Sequence, residues 1–194
     1  MRPFALLAAL LVLALSAGCV AIYPPPDEFR GTLYTQVSLK TYRGGQIGHS
    51  NFLLSRDLIP AGTPVQVVGA TRAFFLLDIN GFRHFLRPEQ GHAWNLAFAP
   101  EVLAKFFGPE PPALPAQYSA LAIGVGALPA GLTREEVLTI LGYPAYVGVG
   151  LSTENLTREQ ILAAENWYYF LNSWRVKVRI AFANGRTVHG AIRR

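Results

Sequence analysis

The sequence predicts an α+β fold, with a β-rich N-terminal part and a C-terminal part that combines helices with antiparallel strands. An Asn80-Gly81 dipeptide between two apolar runs indicates a β-hairpin. Two segments, 132–136 and 156–160, each carry a helix capping box. Residues 175–182 alternate between apolar and basic side chains, as a strand does. Hydrophobic residues make up 51% of the chain, which is enough for a packed core.

The N-terminal segment has the order of a secretory signal. A positive start and an apolar run end in the small residues Ser16-Ala17-Gly18, directly before Cys19, the only cysteine. The run is too short to span a membrane as a helix. This order resembles the lipobox of bacterial lipoproteins, in which the cysteine is acylated and the chain is cut before it. We therefore expect residues 1–18 to be a signal peptide and Cys19 to be lipidated; the alternative is soluble secretion.

The residues after Cys19 bear on location and partners. Val20 follows the cysteine where Asp would direct retention, so the resemblance to Gram-negative sorting implies a periplasm-facing protein on the outer membrane. Residues 19–30 contain three consecutive prolines and are predicted to be a stiff tether that holds the folded part away from the bilayer. The net charge of +5 suits anionic lipid or an acidic protein, and an exported protein is not expected to meet nucleic acid.

Residues 31–108 are predicted to be a small, partly closed β unit of the SH3-like kind. Its strands are expected at residues 32–41 and 65–68 and in the hairpin around Asn80-Gly81, and a helix is expected over residues 100–107. A two-residue type I′ turn fixes the register of the hairpin. The predicted cross-strand pairs are Ile79 with Phe82, Asp78 with Arg83, Leu77 with His84 and Phe75 with Leu86.

A proline-rich linker, residues 109–117, is predicted to separate this unit from a second one over residues 118–194. In the second unit, Thr133 and Thr157 are the expected N-caps of two helices. Trp167-Tyr-Tyr-Phe170 and residues 175–182 are the expected strands.

The turn at Asn184-Gly185 allows two registers. A two-residue loop pairs Ile180 with His189 and brings polar groups onto the apolar face. A three-residue loop with a bulge at Gly185 pairs Ile180 with Val188 instead. We predict the bulged register; a closing pair of Ala183 and Arg186 would contradict it.

Four stretches of the second half resemble the SmpA/OmlA (BamE-like) lipoprotein domain. They are Gly131-Leu-Thr-Arg-Glu-Glu-Val-Leu138, Leu141-Gly-Tyr-Pro144, Trp167-Tyr-Tyr169 and Val178-x-Ile-x-Phe182-x-Asn-Gly185. The resemblance implies a domain of two helices on a three-stranded antiparallel sheet. Its best-known member is an accessory subunit of the outer-membrane β-barrel assembly machinery, so the resemblance also implies an envelope protein as partner.

Two groups of side chains are candidates for binding. The first is a basic strand face, whose alternative interpretation is an ordinary solvated surface: Arg175, Lys177, Arg179, His189 and Arg193. The second is a set of partner-docking aromatics, Trp167, Tyr169 and Trp174, whose alternative interpretation is core packing.

The chain carries no pattern that points to catalysis. It contains no CxxC or HExxH metal motif and no Gly-x-Ser-x-Gly elbow, and no cofactor is expected. Asp78 and His84 fall on opposite faces of the predicted hairpin, and Glu135 and Glu136 fall at a helix start. We expect a non-enzymatic envelope scaffold or assembly module; the alternatives are a phospholipid- or lipopolysaccharide-binding lipoprotein and an enzyme of unrecognised type.

Overall fold

The computed structural model describes residues 21–55, 57–71, 73–87, 99–114, 128–172 and 177–188. Within them lie thirteen strands in two sheets, and only three short α-helices. The predicted α+β class, with two helices on a three-stranded sheet, is therefore wrong, and the fold is β-rich. Six of the thirteen described strands are two residues long, too short to leave an alternating pattern in the sequence.

The first sheet has eight strands and curls into a half-barrel, which is larger than the predicted SH3-like unit. Its order is β4-β2-β3-β7-β6-β5-β1-β8, and all neighbours are antiparallel except β3 and β7. The strands are β1 Thr32–Thr35, β2 Leu39–Tyr42, β3 Gln46–Ile47, β4 Leu58–Ile59, β5 Pro64–Ala70, β6 Phe75–Ile79, β7 Phe82–Leu86 and β8 Phe107–Gly108.

The predicted hairpin is confirmed. Strands β6 and β7 pair in the expected register, from Phe75 opposite Leu86 to Ile79 opposite Phe82. Asn80 and Gly81 have φ angles of 54° and 79°, as a type I′ turn requires. The single strand predicted over residues 32–41 is instead two strands, β1 and β2. Between them, the Ser38 amide donates to the Thr139 carbonyl, which lies outside the sheet.

The helices are α1 Ala99–Phe106, α2 Arg134–Leu141 and α3 Arg158–Ala163. Both predicted capping boxes are confirmed. The Thr133 hydroxyl accepts from the Glu136 amide while the Glu136 carboxylate accepts from the Thr133 amide, and Thr157 with Gln160 repeats the pattern. Helix α2 ends at Gly142, which has a φ of 76°.

The second sheet has five antiparallel strands in the order β10-β9-β11-β12-β13. They are β9 Tyr146–Val147, β10 Leu151–Ser152, β11 Asn166–Phe170, β12 Lys177–Ala183 and β13 Arg186–Thr187. Val178, Ile180 and Phe182 of β12 are buried, whereas Lys177 is exposed and Arg179 is half-buried, which agrees with the predicted alternation.

The predicted bulge at Gly185 is wrong. Ala183 pairs with Arg186 and Phe182 with Thr187, so Asn184-Gly185 is a two-residue turn. This register buries Thr187, whose hydroxyl donates to the Pro129 carbonyl at 2.7 Å and accepts from the Leu132 amide at 3.0 Å. A polar residue on the apolar side costs little when its hydrogen bonds are made, and the prediction did not allow for that.

The two sheets share one hydrophobic core, to which both contribute buried side chains. Phe52 forms a parallel bridge with Phe170, and the amides of Leu53 and Leu54 donate to the carbonyls of Phe170 and Leu171 at 3.0 and 2.8 Å. The proline-rich stretch, described over residues 109–114, lies outside regular structure. It joins the half of the molecule that contains the eight-stranded sheet to the half that contains the five-stranded sheet, and the two halves are in direct contact.

The prediction of a stiff tether after Cys19 is also wrong for the described residues, 21–30. Tyr23 pairs with Ala70 of β5 through two backbone hydrogen bonds of 2.7 and 2.8 Å. A 3-10 helix follows at Asp27–Phe29 and buries the Phe29 side chain. The segment therefore docks on the eight-stranded sheet. Signal residues 1–18 and Cys19 lie outside the described part of the chain.

Candidate functional site

The outer side of the five-stranded sheet brings cations and aromatic rings together. Tyr168 of β11 pairs with Arg179 of β12 on one side and with Tyr146 of β9 on the other. Phe170 pairs with Lys177. Paired residues project from the same side of a sheet, so these five side chains share a surface, which we call the cation–aromatic face.

Ring contacts organise the cation–aromatic face. The Lys177 ammonium lies 4.0 Å from the centroid of the Tyr146 ring, within the range of a cation–π interaction. The Tyr146 ring meets Phe170 edge-on at 5.9 Å. Phe52 of the other half stacks on Phe170 at 5.8 Å, which explains why Phe170 is buried although it points outward. The face thus extends over both halves of the molecule.

The structure places two residues of the predicted basic face on this surface. Lys177 is exposed and Arg179 is half-buried. Arg175, His189 and Arg193 lie outside the described residues. The expectation that His189 and Arg193 adjoin Lys177 and Arg179 relied on the bulged register, which is wrong, so that argument no longer supports them.

The predicted docking role of Trp167 and Tyr169 is wrong, because both side chains are fully buried. The Trp167 indole N–H donates to the Ile161 carbonyl at 3.1 Å, and the Tyr169 hydroxyl donates to the Gly142 carbonyl at 2.8 Å. Burial raises the pKa of Tyr169 well above its ordinary value. These rings fill the core, and Trp174 lies outside the described residues.

The predicted set of partner-docking aromatics leaves out three aromatic members of the face. Tyr168 and Phe170 alternate with the core residues Trp167 and Tyr169, so strand periodicity could have identified them. Tyr146 lies on a two-residue strand that is set by pairing with β10 and β11, and nothing local indicates that strand.

A second polar cluster lies buried between the halves and centres on His49. Its Nε2 lies 3.1 Å from the Thr153 hydroxyl oxygen. That hydroxyl donates to the Pro144 carbonyl, so it accepts from Nε2, which carries the ring hydrogen. The imidazole also contacts the rings of Phe106 at 5.6 Å and Tyr143 at 5.4 Å. Burial, with a smaller contribution from the Lys105 charge, lowers the pKa of His49 to about 3, although a hydrogen bond with Thr153 acts in the opposite direction.

Asn51 joins the halves a short distance along the chain. Its side-chain amide donates to the carbonyls of Ser38 at 2.8 Å and Leu141 at 2.6 Å, and its side-chain oxygen accepts from the Lys40 amide at 2.8 Å. Gly142 packs directly on this group, and a Cβ there would collide with the Asn51 amide and the Ser38 carbonyl oxygen. We call the contacts of His49 and Asn51 with the second half the polar joint.

The two clusters differ in what they can do. The polar joint is closed to solvent, so its histidine cannot reach a substrate. The cation–aromatic face has exposed charge and is suited to binding. The described residues contain no group of three or more His, Cys, Asp or Glu that could hold a metal ion. No helix in the described ranges is long and apolar enough to cross a membrane.

Comparison of the chain with protein-family models, with curated proteins and with solved structures finds no significant match.

Proposed function

We propose that this protein is a lipid-anchored adaptor of the bacterial outer membrane, which holds an acidic protein partner on its cation–aromatic face. In this proposal the acyl chains on Cys19 fix the protein to the periplasmic side of the membrane. The folded part binds and does not catalyse a reaction. The observation that carries the proposal is the placement of Lys177 and Arg179 beside Tyr146 and Tyr168 on one surface of the sheet.

Cations and tyrosines together suit a protein partner. Arg and Tyr are over-represented among the residues that dominate binding energy at interfaces, because they combine apolar area with polar groups. The net charge is +5 for the full chain and +4 once Arg2 is removed with the signal peptide, and it raises the rate of encounter with an acidic partner. An acidic segment that crosses β11 and β12 would meet both charges and lie on the tyrosine rings.

The polar joint supports this proposal because it keeps the surface in one shape. Phe52 comes from the first half and Phe170 from the second, so the cation–aromatic face is complete only when the halves are fixed together. The joint residues His49 and Asn51 each make a direct hydrogen bond across this boundary. A surface that is already ordered loses less entropy when a partner binds.

A second candidate function is binding of a phosphate-bearing lipid at the same surface. Lys177 and Arg179 lie two positions apart on one strand, so their Cα atoms are about 7 Å apart. Their side chains can therefore contact neighbouring phosphate groups. Phospholipid or lipopolysaccharide headgroups would supply these groups. Both functions require the same two charges but different ligands, so one pair of variants can separate them.

The test reverses the charges on the face and compares them with a matched pair elsewhere. K177E/R179E removes the two cations, and R43E/R83E makes the same change in net charge at two exposed arginines of the other half. In cells, photo-crosslinkers at Tyr168 should capture a protein in the parent and in R43E/R83E, but not in K177E/R179E. If all three proteins give the same crosslinks, the adaptor proposal is wrong.

Vesicle binding decides the second candidate. A chain that starts at residue 19 with Cys19→Ala is mixed with phosphatidylglycerol vesicles and sedimented. Loss of binding in K177E/R179E but not in R43E/R83E would favour the lipid function. Equal binding by the two double variants would leave general electrostatic attraction as the explanation.

A further inference from the structure

Beside the docked N-terminal segment, the outer side of the eight-stranded sheet carries a partly exposed apolar patch. Gly69 pairs with Leu76, which pairs with Phe85, so all three face the same way. Ile22 covers Gly69, since a Cβ at Gly69 would lie 2.6 Å from the Ile22 Cγ2 atom. Leu76 and Phe85 are half-buried, and Ile22 keeps 61% of its surface exposed.

Phe74 and Arg87 extend this patch toward the turn between β5 and β6. The Phe74 ring meets Phe85 edge-on at 5.2 Å, and the Arg87 guanidinium lies over Phe74 at 5.3 Å from the ring centroid. Apolar side chains are therefore bordered by a cation. That combination is typical of surfaces that rest in the headgroup layer of a membrane, because the rings enter the apolar boundary and the cation remains with the phosphates. We call these residues, Ile22, Phe74, Leu76, Phe85 and Arg87, the anchor-side patch.

The length of chain between Cys19 and the docking point limits where this patch can lie. Tyr23 is four positions after Cys19, and four steps of fully extended chain span at most about 14 Å. Tyr23 is held to Ala70 by two backbone hydrogen bonds, and the Cα atoms of such a pair lie about 5.5 Å apart, so that end of β5 lies within about 20 Å of Cys19. The pairing is antiparallel, and the chain before Tyr23 therefore runs toward the β5–β6 turn.

We propose that the anchor-side patch rests on the phospholipid surface and sets the orientation of the protein on the membrane. This inference rests on the proposed acylation of Cys19. Acyl chains in the bilayer keep Cys19 at the interface, whose polar layer is several ångströms thick, and the docked segment brings the β5–β6 turn within reach of it. The tip of the β6–β7 hairpin then points away, because β6 has five residues and is about 17 Å long.

The test measures which end of the β6–β7 hairpin meets lipid. The full-length lipoprotein is purified from its acylating host and reconstituted into phosphatidylethanolamine–phosphatidylglycerol vesicles that carry a headgroup spin label. A fluorophore is attached to a new cysteine at Ala73 in the β5–β6 turn, or at Phe82 beside the hairpin tip; both positions are exposed. The acylated Cys19 has no free thiol to compete for the label. We expect quenching of the label at position 73 and little or none at position 82.

A substitution at Gly69 tests whether docking sets this orientation. G69V places side-chain atoms where Ile22 and the Tyr23 carbonyl lie. This should release the docked N-terminal segment from β5 and lengthen the free chain between Cys19 and the folded part. The label at position 73 should then lose its quenching while the protein still floats with the vesicles, and circular dichroism confirms that it remains folded.

The outcomes separate this inference from the proposed function. Flotation with equal quenching at positions 73 and 82, or with none at either, would overturn the orientation and leave the anchor intact. A protein that does not float carries no anchor, which would overturn both. If G69V does not fold, the comparison of the two label positions in the parent protein still decides whether the anchor-side patch faces the membrane.

Discussion

Acidification should weaken the molecule at the polar joint, because His49 is buried as a neutral imidazole. Its pKa is lowered from 6.5 to about 3 in the folded protein, so between these values the unfolded chain binds more protons at this residue than the folded protein does. The free energy of unfolding therefore falls as pH falls through this window. Relative to neutral pH, the loss from His49 alone is about 1.4 kcal/mol at pH 5.5 and about 2.7 kcal/mol at pH 4.5, at 1.36 kcal/mol for each pH unit below 6.5.

The measurement compares urea unfolding of two chains across this pH range. Both begin at residue 19 with Cys19→Ala, and one also carries His49→Phe. Phe keeps an aromatic ring against Phe106 and Tyr143 but cannot take up a proton. All other titrating groups are common to both chains, so the difference between their pH profiles belongs to position 49. Parallel profiles between pH 7 and pH 4.5 would refute the assignment of a buried, neutral His49.

Three further predictions concern single residues. Gly142→Ala should lower the free energy of unfolding by more than about 2 kcal/mol, because it adds a collision with Asn51 to the strain of a φ of 76°. Gly131→Ala is the control: its φ is 90° but the space around it is open, so it should cost only about 1 kcal/mol. Equal losses of the two variants in urea unfolding would contradict this prediction. Thr187→Val should cost about 1–3 kcal/mol by leaving the Pro129 carbonyl and the Leu132 amide without their partner, whereas Thr187→Ser should retain most of the stability in the same assay. Cys19→Ala should move the protein from the membrane fraction to the soluble fraction with an unchanged circular dichroism spectrum; full retention in membranes would contradict the anchor.

Local signals in the sequence were sufficient for some elements of this fold. The capping boxes at Thr133 and Thr157 could be predicted because each is complete within four residues. The hairpin at Asn80-Gly81 could be predicted because the flanking side chains and the turn favour the same register.

Other elements depend on contacts that are distant along the chain. The dipeptide at Asn184-Gly185 has the same turn chemistry as the first, but its register depends on Thr187 meeting Pro129 and Leu132. Short strands such as β3 and β9 form only because longer strands already provide an edge. Since two residues carry no periodicity, the sequence signals of the second half were interpreted as those of a smaller sheet covered by helices.

Only part of the candidate site could be predicted from the sequence. The outward position of Lys177 and Arg179 follows from alternation along β12, which the sequence displays clearly. The burial of Trp167 and Tyr169 follows equally from alternation along β11, but only once the inner side of that strand is known. The stacking of Phe52 on Phe170 joins residues from the two halves, and no local pattern contains it.

Several contacts of this fold join residues that are far apart in the sequence, and this has a consequence for how the chain folds. Gln36 meets the Glu110 carbonyl 74 positions later, Asn51 meets Leu141 after 90 and His49 meets Thr153 after 104. During synthesis from the N-terminus, β1 therefore cannot pair with β8 until residue 108 has been made, and His49 cannot bond to Thr153 until residue 153 has been made. Closing such long loops slows folding, and the unpaired edge of β1 is open to other strands in the meantime. We expect refolding of this protein to be slow and cooperative, and its nascent chain to depend on a chaperone until the last strands arrive.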